Sequence, residues 1–225
     1  AGVMSVTQQL NEIKALEGKS EKVAKRLISD MKTRVPGWVA AEVAKVYNIK
    51  KSEIIPAKVG GSSKAAGSVR VQGESVETMQ IVYRGRPLTP THFGMTPKSM
   101  RKPTKKLSKK DRYIFQKNDG KSVTMTNGVR PYNIKVEIIK GKREKLTGRY
   151  DTPWFLAPAK RSNPDAAVIP FQRSPGHPKG FATVAAHTVS LPQMISSERT
   201  NEAIINAVNE GMEKRLENHL KLLER

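Results

Sequence analysis

VAAHTVSLPQMISSERTNEAIINAVNEGMEKRLENHLKLLER, residues 184 to 225, is the stretch on which the reading of the fold turns. A short extended run is followed by a proline turn and then by one long periodic segment. From Glu198 the apolar residues Ile204, Ile205, Val208, Met212, Leu216, Leu220 and Leu223 recur at threes and fours. Asn206, Glu210, Glu213, Lys214, Glu217 and Lys221 fall on the opposite face. The period predicts an amphipathic terminal helix over 197–225, of roughly 26 residues or about 39 Å. Ser196 and Ser197 are placed to accept from its first free N–H groups, and Glu198 and Glu202 suit its positive end. Pro192 is expected to keep the preceding strand from running into the helix. An apolar stripe of this length needs a partner surface along most of its course. Two partners are open: the chain's own sheet, or a second subunit met at Met212, Leu216 and Leu220. His219 lies in the stripe and has no second ligand at helical spacing, so it reads as a packed or half-exposed histidine rather than a metal ligand.

Working back towards the N-terminus, Val6, Leu10, Ile13 and Leu16 predict a short helix over 5–17, ended by Gly18. A second helix begins after Ser20, with a kink or break expected at Pro36 and Gly37 before Trp38, Val39, Val43, Val46 and Tyr47 carry the pattern on. A helical turn is expected from Lys51 to Ile55, and the GGSSKAAGS segment, 60–68, reads as a connector. Its glycines and lysine lack the spacing of a phosphate-cradling P-loop. Strands are expected around Val69 and Val71, Val76 to Arg84, Tyr113 to Gln116 and Ser122 to Thr126, the last turning at Asn127-Gly128. Further strands are Tyr132 to Lys140, Lys145 to Tyr150 with Gly141 between them, Trp154 to Ala159, and Val168 to Arg173. Helices at both ends with consecutive strands between them argue an α+β fold. The sequence therefore predicts a single domain over 1–225 with a mainly antiparallel sheet, flanked by N-terminal helices and the long C-terminal helix.

The charge is uneven. The chain carries 41 Lys and Arg against 20 Asp and Glu, a formal net charge of +21. Between Lys98 and Arg149 there are 17 Lys and Arg against four acids. Within this region, 94–131 reads as a basic excursion whose prolines and lysines cannot supply a core. Lys98, Arg101, Lys102, Lys105, Lys106, Lys109 and Lys110 are candidate contacts for a polyanion or an acidic partner, as flexible point charges that reach phosphates. The bland alternative is a solvated charged loop. No helix-turn-helix, zinc-finger spacing or aromatic platform is present to read bases.

Candidate chemistry is sparse. The absence of cysteine from the 225 residues excludes disulfides and thiolate sites. His92, His177, His187 and His219 are dispersed without metal-ligand spacing, and there is neither a nucleophile elbow nor a dinucleotide fingerprint. Asp151, before Thr152 and Pro153, reads as a backbone-bonding turn residue. The expectation is a protein with no catalytic residues, no cofactor and no metal. No run approaches the ~18 apolar residues of a membrane span, so a soluble protein made in a cytoplasm, without a membrane partner, is expected.

The order of several pieces goes further. VAKVYNIKKSEI, IVYRGRPLTPTHFGM, NIKVEIIKGKREKLTGRY, TPWFLAPAK, HTVSLPQMI and INAVNEGMEKRLENHLKLL together resemble the prophage minor tail protein Z family. The turn from Ser190 to Met194 and the helix end from Arg215 to His219 are the most specific parts. The resemblance implies a structural virion protein of a tailed phage that completes the head-proximal end of the tail. It would join tail to head and neck as a ring, with a hexamer expected from the six-fold symmetry of such tails, at the head–tail junction of a virion assembled in the host cytoplasm. Its partners would be further copies of itself and other neck and tail proteins, with non-specific contact to genomic DNA. A closed ring of this kind uses two different patches per subunit. The segment 95–131 is longer and more basic than the family pattern. The alternative, from another class, is a stand-alone basic nucleic-acid-binding protein.

Overall fold

A computed structural model describes residues 19–56, 61, 68–73, 75, 78–100, 113–116, 122–125, 131–160, 163–175 and 182–222. The fold is α+β, with helices towards both ends and antiparallel strand pairs between them. Where one domain was expected, the chain divides into two compact units. The first unites residues 1–88 with 189–225, and the second is 89–188. The strands do not form one sheet either: among the described residues they make three two-stranded ribbons and one three-stranded sheet. The expected helix at 5–17, and the 60–68 connector apart from Gly61 and Ser68, lie outside the described residues.

The first unit is built on α1, Lys19–Val46, a single helix that runs through Pro36. A proline inside a helix removes one backbone bond and crowds the preceding turn. Here the apolar stripe on both sides of it, Val23, Leu27, Val35, Val39 and Val43, is buried to 5% exposure or less, so packing holds the helix continuous where the sequence suggests a break. α2, Lys51–Ile54, follows and packs on α1, as the turn signal there predicts. β1, Ser68–Gln72, pairs with β2, Gln80–Arg84, in register from Ser68 opposite Arg84 to Gln72 opposite Gln80. β2 starts four residues later than its apolar pattern because Ser75 and Thr78 close a turn first, through Thr78 N–H to Ser75 O at 3.2 Å and their two hydroxyls at 2.9 Å.

The C-terminal stretch is two helices, not one. α3 is Leu191–Ile195 and α4 is Asn201–Lys221. Pro192 does not separate a strand from a helix. It sits in the first turn of α3, where its missing N–H is harmless. Ser190 and Gln193 form a reciprocal capping box: the Gln193 side-chain oxygen accepts from the Ser190 N–H at 2.8 Å, and the Ser190 hydroxyl accepts from the Gln193 N–H at 3.4 Å. Thr200, 1% exposed, donates its hydroxyl to the Met194 carbonyl and fastens the joint between the two helices. The capping expected of Ser196 and Ser197 is thus moved to Ser190, one short helix earlier.

α4 packs along α1, helix on helix, rather than on a sheet. Ile204, Met212 and Leu216 supply its buried apolar face. At Gly211 the backbone of α4 lies against the Trp38 side chain of α1. A Cβ there would stand 2.6 Å from the Trp38 ring.

The second unit opens with a 3-10 turn, Pro90–Phe93, ended by Gly94 in the left-handed region at φ 66°. β3, Tyr113–Gln116, pairs with β4, Ser122–Met125, with Tyr113 opposite Met125. The turn expected at Asn127-Gly128 lies outside the described residues. β5, Lys135–Ile139, and β6, Lys142–Lys145, form a ribbon about Gly141 at φ 77°. β7, Phe155–Lys160, β8, Asn163–Arg173, and β9, Thr183–Ala185, form the three-stranded sheet, on which Phe155 and Phe171 stack at 5.8 Å. Phe93, Met95, Ile134 and Val136 are buried at 4% exposure or less in this unit. Among the described residues no helix is long and apolar enough to cross a membrane.

The contact at Gly211 makes a testable case. Replacing glycine in a helix with a good helix former ordinarily stabilises by up to about 1 kcal/mol, but a side chain here must displace the Trp38 ring. Gly211→Leu should lower stability by about 1–3 kcal/mol, the usual cost of overpacking, as measured by urea unfolding followed by tryptophan fluorescence. A variant as stable as the parent would show that α1 and α4 do not approach this closely.

Candidate functional site

In the second unit the residues between β6 and β7 decide the shape of the surface. The pattern from Lys145 to Tyr150 predicts a strand, but the ladder stops at Lys145 and the chain turns into an irregular loop. The cause is Gln172 on β8, 3% exposed. Its side-chain oxygen accepts from the Tyr150 N–H at 3.2 Å, and its side-chain nitrogen donates to the carbonyls of Tyr150 at 2.7 Å and Thr152 at 2.8 Å. One amide thus satisfies backbone groups that a neighbouring strand would otherwise pair. Gly148 is required beside it, since a Cβ there would lie 2.1 Å from the same amide. The Trp154 indole N–H donates to the Leu146 carbonyl at 3.2 Å, and the Thr152 hydroxyl donates to the Arg173 carbonyl at 2.9 Å.

This loop and the start of β7 enclose an open cleft of about 670 Å³, whose walls include Tyr132, Asn133, Tyr150 and Trp154. Lys145 and Arg149 stand at it as cations, with the Arg149 guanidinium 5.7 Å from the centre of the Tyr150 ring, and Asp151 is its acid. The cleft adjoins the β5–β6 ribbon. Lys142, Arg143, Glu144 and Lys145 on β6 are all exposed, and Lys135 on β5 is directly opposite Lys145. Glu137 accepts from the Gly141 N–H at 3.1 Å and lies 3.9 Å from Arg143. The surface is suited to holding an extended anionic partner.

A second cluster of charged groups, in the first unit, is internal. Asp30 of α1 is 7% exposed and accepts three charge-assisted or imidazole hydrogen bonds: from Arg34 Nε at 2.7 Å, from Arg215 Nε at 2.7 Å and from His219 Nε2 at 2.8 Å. Because the carboxylate only accepts, Nε2 is the protonated ring nitrogen. Nδ1 is buried and has no hydrogen-bond partner among the described residues. Burial by itself pushes the Asp30 carboxyl up. The hydrogen bonds from Arg215, Arg34 and His219 outweigh it and hold the group at about 2. This arrangement ties α1 to α4. With every charged partner directed at one shielded carboxylate, it is a structural clasp.

Of the residues singled out from sequence, Lys98 is exposed, whereas Arg101, Lys102, Lys105, Lys106, Lys109 and Lys110 lie outside the described residues. Met212 and Leu216, the candidate subunit contacts, are 3% and 1% exposed and already covered within the chain, and Leu220 is half-buried. Two helices meeting along their stripes satisfy the apolar face that might otherwise have sought a neighbour. His219 is a packed histidine, as its position in the stripe implies. Among the described residues no group of three His, Cys, Asp or Glu is placed to hold a metal ion. Sequence reasoning missed Gln172 and Asp30. The first has no local signal. The second had one: an acid in the apolar stripe of α1, answered by Arg215 and His219 in the terminal stripe.

The Asp30 clasp implies a defined response to acid. Its folded pKa lies below the ordinary unfolded value near 3.9, so its contribution, about 2 kcal/mol for a shift of this size, is complete above about pH 4 and lost as the pH falls from there towards 2. Asp30→Asn should lower stability at neutral pH by about 1–2 kcal/mol, because the half-exposed Arg34 and the partly exposed Arg215 lose their counter-charge and solvent screens part of that loss. It should also remove this part of the acid dependence. Urea unfolding from pH 2 to 6 checks both, and a parallel displacement of the two pH curves would refute the assignment.

Compared with protein-family models, curated proteins and solved structures, the chain has no match.

Proposed function

We propose that this chain is a structural virion protein of a tailed phage, completing the head-proximal end of the tail and joining it to the head and neck as a ring of identical copies. The reading comes from the resemblance to the prophage minor tail protein Z family. One observation supports it: the two most specific pieces of that resemblance are those on which the first unit is built. Ser190 to Met194 supplies the capping box and body of α3. Arg215 and His219 close on Asp30 across 185 and 189 residues of chain. Both pieces thus belong to one compact unit. Assembly is the role, and the partners are further copies of the chain and the adjoining neck and tail proteins.

The ring contact cannot use Met212 or Leu216 without unfolding the helix pair. Among the described residues, apolar side chains of this region left for a neighbour include Ile205 and Leu222, 53% and 54% exposed, and the half-buried Val208 and Leu220. Ile205→Asp with Leu222→Asp should leave the circular dichroism and urea midpoint of the protein near those of the parent while reducing its assembled size by light scattering. Unchanged size would remove these exposed apolar positions of α4 from the contact.

The function itself is tested by an amber mutation in the gene within a phage that carries it. Full heads and finished tails should accumulate unjoined, visible by negative-stain microscopy, with infectivity falling by several orders of magnitude. Normal joining would refute the reading and leave the stand-alone basic protein in its place.

A further inference from the structure

We propose that the outward face of the β5–β6 ribbon, flanked by Lys98 and Arg149, is a contact surface for the phosphate backbone of duplex nucleic acid. This does not rest on the phage reading. It follows from the register of the ribbon, in which Lys135 is paired with Lys145. Side chains of directly paired residues share a face and approach closely, so two ammonium groups repel one another across the ribbon. An anion lying over them removes that repulsion.

The acids of the ribbon do not answer these lysines. Glu144 is paired with Val136, which is 4% exposed, and so belongs to the opposite face. Glu137 is engaged by the Gly141 N–H and by Arg143. Lys140 and Lys142 flank the turn, both exposed. Lys98 is exposed two residues beyond Thr96, whose backbone exchanges hydrogen bonds with Lys135 at 2.8 and 2.9 Å. Among the described residues, Lys98, Lys135, Lys140, Lys142 and Lys145 have no carboxylate partner.

Lysines on an exposed edge strand also guard against edge-to-edge pairing. That account covers β6 but not Lys135 on the inner strand, nor Lys98 and Arg149 outside the ribbon. The dimensions suit a phosphate run. A five-residue strand extends about 17 Å, a length over which one strand of B-form DNA presents about five phosphates. The contacts are from flexible ammonium groups to the backbone, so they position a duplex without reading its sequence.

The full-length chain should be titrated with a mixed-sequence duplex of about 30 base pairs over roughly 50–300 mM salt. Exchanging Lys98→Gln, Lys135→Gln and Lys145→Gln together should flatten the slope of log K against log salt by roughly two to three units. A control of equal charge, Lys22→Gln with Lys51→Gln and Lys214→Gln on exposed positions of the first unit, should leave the slope nearly unchanged. Equal flattening by both triples would reduce the effect to net charge and overturn the proposal, as would no flattening by the ribbon triple. Competition by poly-glutamate as strong as by inorganic polyphosphate would overturn it in favour of an acidic protein partner. If the triple folds poorly by circular dichroism, Lys145→Gln alone should flatten the slope by about one unit, and an unchanged slope in that variant overturns the proposal.

Discussion

The bond between Asp30 and the pair Arg215 and His219 is the constraint on which the first unit depends. A helix near one end of the chain and a helix near the other have no sequence proximity to bring them together, and the loop-closure entropy of joining them must be offset by contacts made only once both are in place. Apolar burial along Val23, Leu27, Met212 and Leu216 supplies the non-directional part of that gain. The carboxylate supplies direction. Two donors of α4, Arg215 and His219, converge on one oxygen of Asp30 on α1, which sets the axial register of the helices in a way that a stripe of interchangeable methyl groups does not. Gly211 beneath the Trp38 ring acts in the same sense, because close approach is tolerated at one point along the helix.

The second unit meets a different shortage. It has few large apolar side chains and short strands, and two-stranded ribbons are marginal by themselves. Side chains therefore take over part of the work of the ladder. Gln172 holds the backbone at Tyr150 and Thr152, and Trp154 holds Leu146, so a loop that would otherwise present unpaired amides is ordered around a cleft. The consequence for function is that the polar and aromatic groups of the cleft stand on a braced backbone beside an exposed basic ribbon. Order and charge thus adjoin one another in the same unit.

Much of the fold was legible. Helices at 19–46 and 51–54, strands at β1, β3, β5, β7 and the end of β8, and a glycine turn at 141 follow from periodicity and turn chemistry, which are local properties. Errors fell where a distant group intervened. The strand expected after Lys145 is a loop because Gln172 competes for its backbone. Of the kink or break expected at Pro36, the break is absent because burial on both sides outweighs a lost hydrogen bond. The terminal helix expected from 197 begins only at Asn201, and a short helix, Leu191–Ile195, stands where a proline turn was expected, because Ser190 and Gln193 cap it and Thr200 turns inward to the Met194 carbonyl.

By itself the sequence determined the α+β class, the amphipathic stripe of the last helix and the concentration of positive charge between Lys98 and Arg149, since each depends on residue type and spacing alone. Only the tertiary structure decided that Ile204, Met212 and Leu216 of the stripe are buried within the chain, on a helix packed along α1 rather than on a sheet, that the chain forms two units, and that Lys135 is paired with Lys145. The reason is physical: an apolar stripe states that it must be buried but not by what, and a charge acquires its neighbours from pairing register. A one-residue shift of that register would carry Lys135 to the other face of the ribbon.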